Sequence, residues 1–248
     1  MKKKLKNHKV LLGSWITIPS NILVEVMANA GFDWLAIDLE HSSITFNQAE
    51  DLIRIIQSTG TTPLIRIPSI KKDYIKKSMD IGAEGLIIPD VRNVNDLKKV
   101  YQHSHYPSKG IRGVGLTRAN RFGENFDAYY KWQNSNIILI PQIENINAIN
   151  NLDEIFNSKM LDAYFVGPFD LSASMNIPGQ FDNKKFKMAL TKIKNKANQY
   201  NLPHGIHVIN PDTKDIKEKI KEKYTFIACS LDTVILQNKY KEFTSLKK

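Results

Sequence analysis

Short, almost continuously apolar runs alternate along this chain with longer stretches whose apolar residues recur at helical spacing. The runs predict strands at Val10–Ile18, Trp34–Glu40, Pro63–Pro68, Gly85–Asp90, Ile137–Glu144, Ala163–Asp170, Gly205–Asn210 and Phe226–Asp232. Strands that read as unbroken Ile, Leu and Val belong to sheets covered on both faces, which in practice are parallel. Helices are expected between them, at Asn21–Ala30, Phe46–Ser58, Asp73–Ile81, Asn95–Tyr101, Ile146–Phe156, Lys185–Tyr200, Thr213–Lys223 and Thr233–Phe243. Ser20 suits an N-cap, and Gly31, Gly60 and Gly82 suit helix ends. Strand–helix alternation calls for right-handed crossovers between parallel strands. Eight such units in 248 residues predict one α/β domain, a closed (β/α)8 TIM barrel, rather than an open doubly wound sheet.

One segment breaks the rhythm. Gly110–Gly123 (GIRGVGLTRANRFG) is a long Gly- and Arg-rich stretch, expected to be functional or to serve assembly. It does not make a dinucleotide fingerprint, because the third glycine and an immediately preceding strand are both missing.

Composition narrows the class. At 42% hydrophobic, the chain can bury a large core, and no apolar run approaches the ~20 residues that cross a bilayer. The basic N-terminus is followed by Gly13–Ser20 rather than by a signal-peptide core, so a cytoplasmic protein without membrane contact is expected. Cys229 is the only cysteine and lies in a strand-like run, which suits a buried structural thiol. The net charge of +10 raises a nucleic-acid reading. The lysines, however, fall on amphipathic helix faces mixed with acids, and no basic face interleaved with aromatic residues is visible. No nucleic-acid partner is expected.

The chemistry gathers where barrel strands end. Reading those ends in order yields Asp38, Glu40 and His41, then Arg66, Asp90, Gln142 and Glu144, Asp170, Asn210 and Asp232. Several have a structural alternative: Asp170 can cap a short helix, Asp38 and Glu40 can pair with Arg66, and His41 can be an ordinary loop histidine. Together they are the parts for enolate chemistry on a 2-oxo acid. Two carboxylates can hold a hard divalent cation, an arginine can steady charge on a keto oxygen, and a histidine can move a proton near neutral pH. No lysine lies inside a predicted strand core, which disfavours a Schiff base.

Five ordered motifs carry a resemblance: Phe32–His41 (FDWLAIDLEH), Pro63–Pro68 (PLIRIP), Lys109–Gly115 (KGIRGVG), Pro141–Glu144 (PQIE) and Val166–Ser172 (VGPFDLS). In these the chain resembles the HpcH/HpaI family of class II, metal-dependent pyruvate aldolases, from about Gly13 to Asp232. The resemblance implies a TIM barrel of the phosphoenolpyruvate/pyruvate superfamily type. It implies assembly as a homo-oligomer, a hexamer or trimer of dimers, with the C-terminal helix (about 233–246) exchanged between protomers. It implies Mg2+, Mn2+ or Co2+ held by Glu144 and Asp170. Gln142 and the backbone at Phe169–Asp170 would bind the carboxylate of pyruvate, and Arg66 would stabilise the enolate. His41 would accept a proton through metal-bound water, its basicity raised by Asp80, across a subunit boundary if need be. Asp80 also stands out locally, as a carboxylate at a helix C-terminus, where it opposes the macrodipole by roughly 0.3–1 kcal/mol. Phe169 departs from the commoner Ala, which bears on the aldehyde pocket. The implied reaction is reversible cleavage of a 4-hydroxy-2-oxo acid to pyruvate and an aldehyde. A related barrel lyase acting on an acyl-CoA thioester or a phosphoenolpyruvate-type substrate is the alternative.

Overall fold

The computed structural model describes residues 1–209 and 212–247. Eight parallel strands pair in sequence order and close into a barrel, β8 against β1. They are β1 (Leu11–Ile16), β2 (Trp34–Asp38), β3 (Thr62–Arg66), β4 (Gly85–Ile88), β5 (Ile138–Ile143), β6 (Tyr164–Val166), β7 (His204–Val208) and β8 (Tyr224–Leu231). Asn210, expected to end the seventh strand, lies outside the described residues.

Alternation along each strand sorts the side chains into two cores. Trp15, Trp34, Leu64, Ile140, Phe165 and Phe226 belong to the cluster that fills the barrel. Their neighbours of opposite parity, such as Ile16, Leu35, Ile65 and Leu139, pack outward with the helices. Inside, Phe226 stacks on Trp34 at 4.4 Å and meets Phe165 at 4.8 Å. Each such buried side chain contributes roughly 1.5–3 kcal/mol. Gly13 has a packing reason: a Cβ there would collide with the Trp34 ring.

The N-terminal residues form a short helix, Lys2–Lys6, which the apolar pattern does not announce. Leu5 is fully buried in the barrel-filling cluster and closes the end where the strands begin. Lys2 fixes this plug by donating to the Ile137 carbonyl (2.6 Å) and pairing with Asp162 (3.1 Å).

Three expectations change. The run Ala163–Asp170 is a strand only over Tyr164–Val166; Pro168, with its φ preset for a first turn, starts the helix Pro168–Ser174. The expected helix Ile146–Phe156 is broken at Asn151 into Ile146–Asn150 and Leu152–Asn157. The Gly- and Arg-rich stretch ends in a 3-10 segment, Arg118–Gly123, with Arg121 and Phe122 both at positive φ, and leads into an additional helix, Phe126–Asn136. The last helix, Asp232–Ser245, buries only Asp232, while Ile235, Tyr240 and Phe243 are exposed. No helix among the described residues is long and apolar enough to cross a membrane.

Candidate active site

The inward parity that fills the barrel with apolar rings brings polar residues to its upper end. Trp15, Asp38, Arg66, Gln142 and His207 come from β1, β2, β3, β5 and β7, and Glu144 follows one residue past β5. A cavity of about 210 Å3 opens there, bounded by Trp15, His41, Arg66, Gln142, Phe169, Asp170 and His207 among others. That is room for a small organic acid. A larger cavity, about 690 Å3, lies at the opposite end near Thr62, Glu84 and Arg118, away from the strand-end carboxylates.

Arg66 is held on three sides. Its Nε and Nη2 donate to the two oxygens of Asp38 at 2.9 and 2.6 Å, Glu40 lies 3.4 Å from Nε, and the guanidinium stands 4.6 Å over the Trp15 ring. Asp38 also accepts the backbone N–H groups of Glu40 and His41. Burial pushes the Asp38 carboxyl up, but Arg66 and these two amides outweigh it and hold the group below its usual range. The buried network read as a structural alternative for Asp38, Glu40 and Arg66 is therefore present, and it fixes the arginine's orientation at the cavity wall.

Glu144 is the most perturbed carboxylate of the site. It accepts the Asp90 backbone N–H at 2.6 Å and the Gln142 amide at 2.8 Å. Burial, then the charges of Glu40 and Asp170, push its pKa up to about 7 against the lowering effects of Asp90 N–H and Arg66. Glu40 is raised for the same reasons: burial, then Asp38 and Asp170, against Arg66 and His41. The turn at Gly167 comes so close that a Cβ there would overlap the Glu144 carboxylate. Asp90 adopts a left-handed conformation (φ 47°), which brings its N–H to Glu144, while its side chain pairs with Arg92.

These residues suit a divalent cation. Glu144 and Glu40 feel each other's charge and that of Asp170, Arg66 interacts with Glu40 and Glu144, and Gln142 Oε1 is buried without a partner. Oxygen donors of this kind fit a hard ion that keeps positions open for substrate. Among the described residues there is no cluster of three or more His, Cys, Asp or Glu ligands, so Glu144 and Asp170 would supply a sparse protein set.

Other expected residues fall as follows. Asp170 is in the first turn of the helix Pro168–Ser174 rather than at a strand end, and still lines the cavity. Phe169 is exposed, its ring edge-on to Phe181 at 5.0 Å. His41 has a largely exposed side chain with Nε2 3.7 Å from Glu40. Within one chain it does not meet Asp80, whose ion-pair partner is Lys76 at 3.2 Å and whose Oδ1 is buried and unpaired. Asp232 is structural: it accepts the backbone N–H groups of Thr17 and Ile18, both at 2.8 Å.

Two wall residues, Trp15 and His207, escape a reading based on strand ends alone. Their signal is parity: Trp15 stands four residues from barrel-facing Leu11, and His207 stands two from Gly205, whose Cβ position abuts the barrel-filling Phe165.

The comparisons identify the family and the fold. The family model of HpcH/HpaI aldolase/citrate lyase matches residues 11–238. The 5-keto-4-deoxy-D-glucarate aldolase of Escherichia coli O6:H1 (strain CFT073) is 31% identical over 96% of this chain and 92% of its own length. A solved HpcH/HpaI aldolase/citrate lyase family protein from Burkholderia cenocepacia J2315 superposes with a TM-score of 0.92 at 26% identity, covering 100% of this chain and 98% of that one. The citrate synthase SbnG shares the fold, with a TM-score of 0.87 at 24% identity over 100% of this chain and 96% of its own. The chain is a carbon–carbon lyase and belongs to the HpcH/HpaI aldolase/citrate lyase family.

Proposed function

We propose that this aldolase depends on a divalent metal and reversibly cleaves a 4-hydroxy-2-oxo acid to pyruvate and an aldehyde. The observation that carries the proposal is Glu144. A buried carboxyl pushed up to about 7 beside two other acids is a site short of positive charge. Mg2+, Mn2+ or Co2+ on Glu144 and Asp170 would meet that need and, when bound, would supply Lewis-acid stabilisation of the charge that develops on the keto oxygen.

The chain's own residues do the rest. Gln142 and the backbone N–H groups at Phe169 and Asp170 orient the carboxylate of the acid. His41 takes the proton of the 4-hydroxyl. The C3–C4 electron pair then moves to form the C2–C3 double bond of the enolate, and the aldehyde departs. Arg66 donates to the oxygen on which that charge collects; because Asp38 holds its guanidinium in place, little reorganisation is needed as charge develops. A proton returned to C3 completes pyruvate. A cavity of about 210 Å3 favours such a small acid over an acyl-CoA thioester.

We assign the working form to a homo-oligomer, a hexamer or trimer of dimers. The exposed Ile235, Tyr240 and Phe243 on the last helix support its exchange with a neighbouring copy, and the unpaired Asp80 Oδ1 supports a His41–Asp80 pairing between copies. The functional test is pyruvate release from 4-hydroxy-2-oxopentanoate, with and without a chelator. Release that stops in the chelator and returns with Mn2+ is expected. Unchanged release by the chelated enzyme, or by Arg66→Ala, would defeat the proposal.

A further inference from the structure

Each oxygen of the Glu144 carboxylate is held by one donor. Asp90 presents its backbone N–H to Oε1 at 2.6 Å, and Gln142 donates to Oε2 at 2.8 Å. The first donor depends on a conformation that side-chain-bearing residues seldom adopt. Asp90 lies two residues past β4 at φ 47°. Glycine enters that region freely and Asp and Asn at small cost, whereas β-branched residues are strained there.

The Asp90 side chain is gripped from two directions. Arg92 Nε donates to Oδ1 and Oδ2 at 2.9 and 3.0 Å, and its Nη2 lies 2.7 Å from Oδ2. Asn145, which follows Glu144, donates to Oδ1 at 3.4 Å. Arg92 is anchored in turn through its backbone. Its N–H donates to Asp96 at 3.0 Å, and its carbonyl accepts from Asn151 at 3.0 Å. Val91, between the two partners, is fully buried and ties the turn to the core. The Asp90 and Arg92 side chains are about half exposed, so the ion pair adds little to the stability of the fold. Its effect is geometric: a planar fork closed over two residues restricts the backbone between them.

We infer that Arg92 is a positioning residue for the metal site. By gripping Asp90 it keeps that residue left-handed and its N–H on Glu144, and so keeps the carboxylate oriented for a divalent cation. This rests on the metal-dependent reading and adds to it a residue that acts through the backbone. The sign of the effect separates this role from simple electrostatics. A guanidinium repels a cation, so an arginine acting by charge alone would bind metal more tightly once removed. The clasp requires the reverse.

The test is calorimetric titration of the metal-free, full-length protein with Mn2+. Arg92→Leu should weaken binding by about three- to tenfold, and Asp90→Val by at least about tenfold. Asp90→Gly takes the left-handed conformation unaided and keeps the N–H, so it should stay within about threefold of the wild type. Adding Arg92→Leu to Asp90→Gly should change affinity by less than about twofold, because the clasp then has nothing to hold. The melting temperature of metal-free Arg92→Leu should match that of the wild type. Unchanged or tighter binding in Arg92→Leu would overturn the inference. So would an equal loss from Arg92→Leu in the wild-type and Asp90→Gly backgrounds, or a large drop in its melting temperature, which would assign the pair to fold stability. If Asp90→Val does not fold, the exposed Arg92→Leu decides the matter alone. Absence of Mn2+ binding in the wild type would overturn the metal reading and this inference with it, whereas one ion per chain with unchanged affinity in Arg92→Leu would overturn the inference alone.

Discussion

Asp38 grips Arg66 with both carboxylate oxygens, at 2.9 and 2.6 Å, from the end of the neighbouring strand. The register pairs Asp38 with Arg66 directly, so the barrel itself sets the fork. Such a pair is rigid because each partner is planar and both hydrogen bonds must break together.

Replacing Asp38 by Ala should leave a buried guanidinium without its anchor. Stability in urea should fall by about 3–5 kcal/mol. The milder Arg66→Lys keeps the charge but loses the fork, and should lower kcat by roughly 100- to 1000-fold with a small effect on KM. Chemical denaturation and steady-state pyruvate release check the two separately.

Glu144 makes stability depend on pH. Its folded pKa, about 7, is above the unfolded value of 4.5. A carboxyl raised on folding contributes stability that is full below pH 4.5 and is lost as pH rises through 7. Metal-free protein should therefore lose about 1–3 kcal/mol from this group between pH 5 and pH 8. Thermal melts in EDTA should show the loss, Glu144→Gln should remove it, and Mn2+ should raise Tm more at pH 8 than at pH 6.

Gly167→Ala tests how closely the loop is built on that carboxylate. The backbone at Gly167 (φ −93°) is open to alanine, so the fold should survive. The new Cβ would overlap Glu144, whose carboxylate must move. Affinity for Mn2+ and kcat should each drop by about 10- to 100-fold, with the circular dichroism spectrum unchanged.

The N-terminal plug should matter for stability and not for chemistry. Leu5 fills the end of the barrel away from the cavity, so Leu5→Ala should cost about 2–5 kcal/mol. KM and kcat of the folded fraction should stay within twofold, which calorimetry and kinetics can check.

The barrel was legible because parallel strands buried on both faces leave long apolar runs, and because Ser20, Gly60 and Gly82 punctuate the helices between them. The ends of β2, β3 and β5 were legible as well, since Asp38, Arg66 and Gln142 interrupt otherwise apolar runs. β6 was overestimated because Gly167 and Pro168 sit inside an apolar run that continues into a helix. The helix Phe126–Asn136 escaped because its apolar and polar residues are poorly segregated: only Tyr129 and Gln133 are buried. His207 escaped because its place on the cavity wall follows from which way a strand residue faces, and the indole beside it on β1 lies far away in sequence.

The most direct test of the metal claim is a titration of metal-free enzyme with Mn2+, followed by calorimetry, for the wild type, Glu144→Gln and Asp170→Asn. One ion per chain in the wild type, with binding lost or weakened at least about tenfold in both variants, is the predicted result. Undiminished stoichiometric binding in both variants would contradict it.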